Sequence, residues 1–197
     1  MRTSLRLSAA ALALAVAAAF TATAAQPRTT LDLRATVVSP ITDFADADLS
    51  MGLGFGGTVA FRLQPHLHLY GGWDWLRFHS DASFAGTDMD FEETGYTLGL
   101  RFQHEVPWNE RISYRLEAGA LYKHVEIEDS DGDLISDSGH ELGFELGAGL
   151  SMVFGEKWNV VPLVRLRSHA PSFTIGATTT DATMRYLGVE LGFSRRF

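Results

Sequence analysis

The stretch Ile112-Ser-Tyr-Arg-Leu-Glu-Ala-Gly-Ala-Leu-Tyr122 alternates almost throughout between apolar residues and polar or small residues. Successive side chains of a β-strand point to opposite faces, so this stretch predicts a strand with one apolar face and one polar face. Helical spacing, with apolar residues three and four positions apart, fits the stretch less well.

The same two-residue period recurs in seven further segments. We expect eight strands of about nine to eleven residues, the length that crosses a bilayer when a strand is tilted. The segment with Pro162 is the weakest, because proline donates no ladder hydrogen bond, and we expect a bulge or local irregularity there. The seven segments lie at residues 31–37, 53–61, 67–75, 96–102, 141–152, 158–167 and 187–193.

The connections between these segments alternate in length. Those at 64–66, 105–110 and 155–157 are short, whereas those at 39–50, 79–92, 126–139 and 170–183 are long. Short turns at one end and long loops at the other are typical of outer-membrane barrels, with the short turns toward the periplasm. The sequence therefore predicts an all-β fold, an eight-stranded antiparallel up-and-down transmembrane β-barrel.

Residues 1–25 are predicted to be a cleavable signal peptide, and residues 26–197 the barrel domain. Arg2 and Arg6 precede the apolar run 9–20, and small residues follow, which is the pattern of a secretory signal. The run is shorter than the roughly 20 residues that a membrane helix needs, which argues against a retained anchor. Export and the barrel pattern together place the protein in the outer membrane of a Gram-negative cell.

The composition excludes disulfide bonds and argues against a nucleic-acid partner. The chain has 197 residues, no cysteine and a formal charge of −8. Its length suits one domain, which no disulfide can reinforce. The excess of negative charge excludes a nucleic-acid partner, because binding a polyanion requires a basic face.

A soluble barrel such as a lipocalin would show the same alternation with its apolar face inward. The positions of the aromatic residues favour the membrane instead, because they gather at segment ends, as in the two interfacial girdles of membrane barrels. Trp73, Trp75 and Tyr122 lie near the long-loop end, and the short-turn end has Phe102, Trp108, Tyr114, Trp158 and Phe197.

The polar face of the segments carries both signs of charge. A closed interior requires such a balance, because buried charges must be paired. A hairpin folded about Gly132 also places Lys123 opposite Glu141 as a cross-strand ion pair, and His124 opposite His140. We predict a structural charge network in the lumen, formed by Arg34, Arg62, Asp74, Arg101, Arg115, Glu117, Lys123, Glu141, Glu145, Arg165, Arg167 and Glu190.

The signal sequence, the alternating segments and the last strand, Leu187-Gly-Val-Glu-Leu-Gly-Phe-Ser-Arg-Arg-Phe197, together resemble the small outer-membrane β-barrel superfamily, which includes the OmpA- and OmpX-type barrels. The resemblance implies that Phe197 is the recognition signal for the barrel-assembly machinery. It also implies surroundings of outer-membrane lipid and lipopolysaccharide. Arg195 departs from the family pattern, which has an apolar residue there, although an interfacial arginine can extend toward water.

The long loops hold many carboxylates and no Lys or Arg. Such a surface can simply be solvated, or it can attract cationic ligands or divalent ions. Asp129, Asp131 and Asp133 are candidate ligands for a divalent cation, since carboxylates at alternate positions are typical of calcium loops. Gly132 and the missing final Glu depart from the EF-hand pattern.

Two functions from different classes follow from these observations. The first is a non-enzymatic barrel, without cofactor and monomeric, that serves envelope structure or surface interaction through its acidic loops. Side chains fill an interior of this width, so an open pore is not expected, although a narrow ion path stays open as an alternative. The second is a lipid A deacylase-like enzyme, for which His169 and Ser172 are candidates. Their spacing differs from the His-x-Ser-Asn of the deacylases.

Overall fold

The computed structural model describes residues 28–45 and 47–197. The predicted signal peptide, residues 1–25, lies outside the described residues. Within them, no helix is long and apolar enough to cross a membrane.

Eight long strands form a closed antiparallel barrel. Each pairs with its neighbour along the barrel wall, and the pairings of the first strand with the last and of the fourth with the fifth complete the ring. The prediction of an eight-stranded antiparallel barrel is thus confirmed. Its strands are β1 (Thr29–Pro40), β2 (Gly52–Gln64), β3 (Leu67–Ser83), β4 (Gly86–Val106), β5 (Asn109–Glu128), β7 (Glu141–Val153), β8 (Trp158–His169) and β11 (Met184–Arg196).

The apolar residues of the membrane-spanning segments point outward. Leu98 and Val189 expose 61% and 62% of their surfaces, whereas Arg101 and Glu145 on the opposite face expose 1% each. A soluble barrel would show the reverse distribution, since its apolar face fills the interior. The outward apolar belt is the surface that a lipid bilayer covers.

The strands extend further than predicted on the long-loop side. They have 12 to 21 residues, and the expected loop at 79–92 is instead a continuation of β3 and β4 that ends in a tight turn at Phe84 and Ala85. The reason is a reversal of the alternation beyond the membrane. On the extracellular side of Trp75 the apolar side chains point inward and the charged ones outward, as in a soluble barrel. The alternation there therefore differs from that of the membrane-spanning strands and does not predict their continuation. The inward apolar residues of β3, β4 and β5 in this extension include Leu76, Phe78, Phe91, Val125 and Ile127.

Three short strands occupy the two other long connections after β5. Strand β6 (Leu134–Asp137) returns along β5, with Glu126 opposite Asp137. Strands β9 (Ser172–Ile175) and β10 (Thr178–Asp181) form a hairpin of their own. The long loops therefore have regular structure over part of their length.

Pro162 interrupts one ladder without changing its register. On one side it lies opposite Leu191 of β11. On the other side, β7 and β8 pair at Gly149 with Leu163 and again at Met152 with Val160, in one continuous register. The missing proline donor thus leaves a gap in the hydrogen bonding rather than a bulge.

Candidate functional site

Within the part of the chain that the structure describes, twelve buried charged side chains fill the centre of the barrel, and we call them the lumen network. They consist of six cations and six carboxylates, so the formal charges cancel. All point inward from the membrane-spanning parts of the strands and are 9% exposed or less. The cations are Arg34, Arg101, Arg115, Lys123, Arg165 and Arg167, and the carboxylates are Asp32, Asp74, Glu93, Glu117, Glu145 and Glu190.

Inward-facing glycines make room for this network. The hydroxyl of Tyr70 crosses the lumen and donates a hydrogen bond to Glu145 at 2.7 Å. A Cβ added to Gly119 would lie 2.8 Å from that hydroxyl oxygen, and one added to Gly99 would lie 2.7 Å from the Tyr70 ring. Glycine at these two positions is therefore needed for the tyrosine to span the barrel.

The periplasmic part of the network centres on two arginines. Arg101 binds Asp32 at 2.5 Å and Glu117 at 2.6 Å. Arg115 makes the same pair of contacts, at 2.8 and 2.6 Å. Each carboxylate thus lies between two guanidinium groups, an arrangement that pairs the buried charges through charge-assisted hydrogen bonds.

Arg165 connects this part to the middle of the barrel. Its guanidinium contacts Glu117 at 2.7 Å, Glu145 at 2.5 Å and Glu190 at 2.8 Å. Arg167, two residues further along β8, binds the other oxygen of Glu145 at 2.9 Å. The planar fork of arginine suits such simultaneous contacts.

The extracellular part of the network converges on Asp74. Arg34 and Arg167 each bind its Oδ2 at 2.8 Å, and Lys123 binds its Oδ1. Lys123 also binds Glu93, to which Tyr186 donates a hydrogen bond at 2.6 Å. Ion pairs therefore run without interruption from Asp32 near the periplasm to Glu93 near the cell surface.

Ten of the twelve residues in the predicted set belong to this network, and two lie outside it. Arg62 is only partly buried and borders the periplasmic opening. Glu141 is opposite Lys123 in the strand register, as predicted. The prediction that the two form an ion pair is wrong. The lysine amine turns to Asp74 and Glu93, which lie deeper in the barrel. Asp32 and Glu93 complete the network, and their position on the polar side of the alternation was the signal for them.

An apolar cluster lies above the network, inside the extracellular extension, and we call it the apolar plug. Three aromatic side chains from different loops and strands meet edge to face: Phe44 contacts Phe91 and Phe173 at ring-centroid distances of 5.5 and 6.0 Å. The plug consists of Val38, Phe44, Ala47, Leu76, Phe78, Phe91, Val125, Ile127, Phe173, Ala182, Met184 and Tyr186.

The open space inside the barrel narrows from the periplasm inward. A polar cavity of about 680 Å³, lined by residues such as Arg62, His68 and Gln103, opens at the short-turn end. Beside Asp32 and Arg165 the free space is only about 10 Å³. That volume is at the lower limit for a single water molecule.

The extracellular hairpin of β3 and β4 carries an ion-pair cluster on its outer face. Arg77 binds Asp90 and lies 3.6 Å from Glu92, and His79 contacts Asp90 at 3.1 Å. The hydrogen bond from Arg77 holds the pKa of Asp90 below its ordinary value. The hydrogen bond with Asp90 in turn raises the pKa of His79.

The acidic loop after β5 does not gather its carboxylates at one point. Oδ1 of Asp129 accepts hydrogen bonds from the backbone N–H groups of Asp131 and Asp133, at 3.0 and 2.9 Å. This carboxylate therefore stabilises the turn, and calcium binding there stays a prediction. Within the described residues, three metal-ligating side chains converge elsewhere, at His124, Glu126 and Asp137.

The candidate residues for a deacylase are not arranged for catalysis. His169 is buried inside the barrel, 3.7 Å from Glu93, and neither of its ring nitrogens has a hydrogen-bond partner. Ser172 lies on β9, opposite Asp181. A serine nucleophile requires a hydrogen bond to its base, so this geometry does not favour the enzyme.

Phe197 follows β11 directly and is exposed on the lipid-facing side, at the periplasmic end. Its backbone N–H donates to the carbonyl of Thr29 at 2.9 Å, which attaches the terminus to β1. The guanidinium of Arg195 lies over the rings of Phe197 and Trp158, at 5.0 and 5.3 Å from their centroids. Cation–π contacts of this kind explain how an arginine is accommodated at the interface.

A closed barrel with an apolar outer belt and a polar interior defines the class of outer-membrane β-barrel proteins. The chain belongs to the outer membrane protein beta-barrel domain family, whose family model matches residues 7–197. Its location is therefore the cell outer membrane. A search of curated proteins found no match.

Solved structures of small outer-membrane barrels share the fold. Neisserial surface protein A is 15% identical with a TM-score of 0.60, over 86% of this chain and 97% of that one. OprG from Pseudomonas aeruginosa is 13% identical with a TM-score of 0.60, over 87% and 97%. Outer membrane protein W of E. coli is 13% identical with a TM-score of 0.58, over 88% and 100%.

Proposed function

We propose that this protein is a non-enzymatic outer-membrane barrel with a closed lumen, which acts at the cell surface through its acidic extracellular loops. The observation that carries the proposal is that two barriers of opposite chemistry lie in series inside the barrel. The lumen network fills the membrane-spanning part, and the apolar plug fills the extension above it.

The two barriers oppose different solutes. An ion that enters from the periplasm must separate charges that already neutralise one another, and breaking one buried pair costs about 3–5 kcal/mol. Beyond the network, the plug offers no polar partner to a hydrated ion or a sugar, and burying an unpaired charge there is costlier still. The cost of separating the buried ion pairs and the cost of entering the apolar plug together keep the lumen closed in this proposal.

Because the lumen is closed in this proposal, molecules outside the cell can contact only the extracellular surface of the protein. Its described basic residues, Arg77 and Arg185, are far outnumbered by carboxylates, and Arg77 is already paired with Asp90. A surface of one sign attracts cationic ligands over a distance set by the ionic strength. The carboxylates are Asp43, Asp48, Asp81, Asp88, Asp90, Glu92, Glu126, Glu128, Asp129, Asp131, Asp133, Asp137 and Asp181.

Conductance measurements test closure. The protein, folded without residues 1–25 and inserted in planar bilayers, should give no stable current steps, and proteoliposomes that contain it should not swell in small sugars. A variant with both Phe44→Ala and Phe173→Ala, which opens the plug, should still conduct little because the network remains. Stable steps from the unaltered barrel would overturn the closed-lumen proposal.

Binding of a cationic probe tests the role of the loops. Proteoliposomes should bind a fluorescent hexalysine peptide, and binding should weaken as salt is raised. A variant with Asp81, Asp88, Asp131 and Asp133 changed to Asn should bind it several-fold more weakly. A control variant with the periplasmic Glu105 and Glu110 changed to Gln should bind as the unaltered protein does. Equal binding by both variants would contradict the assignment to the loops.

A further inference from the structure

We propose that His124, Glu126 and Asp137 form a binding site for a divalent transition-metal ion of the Zn²⁺ class, on the outer face of the extracellular extension. The three side chains offer one nitrogen and two carboxylate oxygens, which all lie within 4.8 Å of one another. The site is separate from the lumen, so it does not depend on whether the barrel is closed.

Strand pairing brings these ligands together. His124 and Glu126 are two residues apart on β5 and therefore share one face of it. The short strand β6 returns beside β5 with Asp137 directly opposite Glu126, and the backbone N–H of Ser138 donates to the carbonyl of Val125 at 3.0 Å. The third ligand is thus held in place by the ladder and not only by a loop.

The distances suit a small tetrahedral ion. Nδ1 of His124 lies 3.4 Å from Oδ1 of Asp137 and 4.0 Å from Oε1 of Glu126. Ligands about 2.0–2.2 Å from Zn²⁺ in tetrahedral geometry are themselves about 3.3–3.6 Å apart. The His124–Asp137 distance already matches, and a small rotation of the partly exposed Glu126 side chain would bring its oxygen, which lies within 4.8 Å of both other ligand atoms, to the same spacing.

Neighbouring groups orient two of the ligands. The carboxylate of Asp137 accepts a hydrogen bond from the backbone N–H of Gly139 at 2.8 Å. The ring of His140 stacks on that of His124 at a centroid distance of 4.5 Å, with 17° between the planes. Outer contacts of this kind restrict a ligand to one geometry before the ion arrives.

Charge crowding in the same row of the sheet favours a dication. Glu126 has Glu92 directly opposite on β4 and Asp137 directly opposite on β6. Like charges in facing positions destabilise a sheet. The nearby Arg77 binds Asp90 and approaches Glu92, which leaves the two carboxylates of the site to be neutralised by an ion.

The ligand set also selects among metals. An imidazole with two carboxylates suits Zn²⁺ and related ions, whereas Ca²⁺ and Mg²⁺ prefer oxygen ligands alone. With three protein ligands, one position stays open for water. A bound ion would attach β6, which has four residues, to β5 and so order the acidic loop between them.

Titration calorimetry of the folded barrel in detergent, without a histidine tag, tests the site. ZnCl₂ in phosphate-free buffer should bind with a stoichiometry near one, and a hundredfold excess of CaCl₂ should not displace it. His124→Ala and Asp137→Asn should each weaken binding at least tenfold. Asp137→Asn keeps an oxygen that can accept the Gly139 hydrogen bond, so its effect reports the ligand charge.

His79→Ala serves as the matched control, because His79 is another extracellular histidine among carboxylates. It should leave Zn²⁺ affinity unchanged. Heat-modifiable gel mobility of every variant checks that the barrel is folded. The proposal is overturned if the unaltered protein does not bind Zn²⁺ below millimolar concentration, if Ca²⁺ competes equally, or if the control loses as much affinity as the site variants.

Discussion

Replacing Asp74 with Asn should remove the carboxylate on which three buried cations converge. Arg34 and Arg167 bind it at 2.8 Å, and Lys123 contacts its other oxygen. The amide preserves the shape and one acceptor oxygen but not the charge. The network then carries a net charge of +1 among side chains that are 9% exposed or less.

The size of the effect follows from the cost of an uncompensated buried charge. Removing one partner of a buried ion pair costs about 3–5 kcal/mol. Since 1.4 kcal/mol corresponds to a factor of ten, the ratio of unfolded to folded protein should rise more than a hundredfold. Arg167 keeps Glu145 at 2.9 Å and Lys123 keeps Glu93, whereas Arg34 keeps a longer contact with Glu190, at 3.7 Å, so Arg34 is the cation that loses most.

A double-mutant cycle with Arg34→Met isolates that interaction. The combined variant removes one charge of each sign. Its free energy of unfolding should exceed, by about 1–3 kcal/mol, the value expected if the effects of the two single substitutions were additive. The assay is urea unfolding of the barrel in detergent micelles, followed by tryptophan fluorescence and by gel mobility. Asp131→Asn, at an exposed loop position, is the control and should change stability by less than about 0.5 kcal/mol.

Two outcomes would refute this reasoning. If Asp74→Asn costs less than about 1 kcal/mol, then water solvates the cations and the network does not close the lumen. If the two substitutions are simply additive, Arg34 and Asp74 do not interact as the structure indicates.

Two further predictions concern other parts of the barrel. Gly119→Ala should lower the free energy of unfolding by about 1–3 kcal/mol because its Cβ would clash with Tyr70, whereas Gly71→Ala on the lipid-facing side should have little effect. Equal midpoints of urea unfolding for the two variants would contradict the packing argument. The extracellular hairpin should lose protection from hydrogen exchange as pH rises above about 6.5 and through the raised pKa of His79, because only the protonated ring is attracted to Asp90. A loss of protection with pH that persists in His79→Gln would contradict this cause.

The membrane-spanning part of the fold could be predicted because its alternation has one physical cause throughout. Lipid covers one face of each strand and a closed interior lies on the other, so Leu116 and Glu117 report opposite environments from adjacent positions. The same parity applies to Asp32 and Glu93, which were not in the predicted set and also point inward. Lengths of the connections then gave the orientation of the barrel.

The extracellular extension could not be predicted in the same way. Beyond Trp75 the solvent outside the barrel changes from lipid to water, and the preference of each face reverses. Phe78 and Phe91 therefore point inward, while His79 and Asp90 on adjacent positions point outward. With the usual membrane pattern lost, these residues looked like an acidic loop.

Parity along a strand establishes which side chains enter the lumen, but not which of them meet. The amino-acid sequence alone determined the number of barrel strands, the outward apolar belt and the presence of charges of both signs inside. Closure of the ring decided the partners, because residues far apart in sequence, such as Asp74 and Arg167, meet only across the barrel. The same holds for the plug and for the His124 cluster, where three-dimensional proximity depends on how loops and short strands return to the wall.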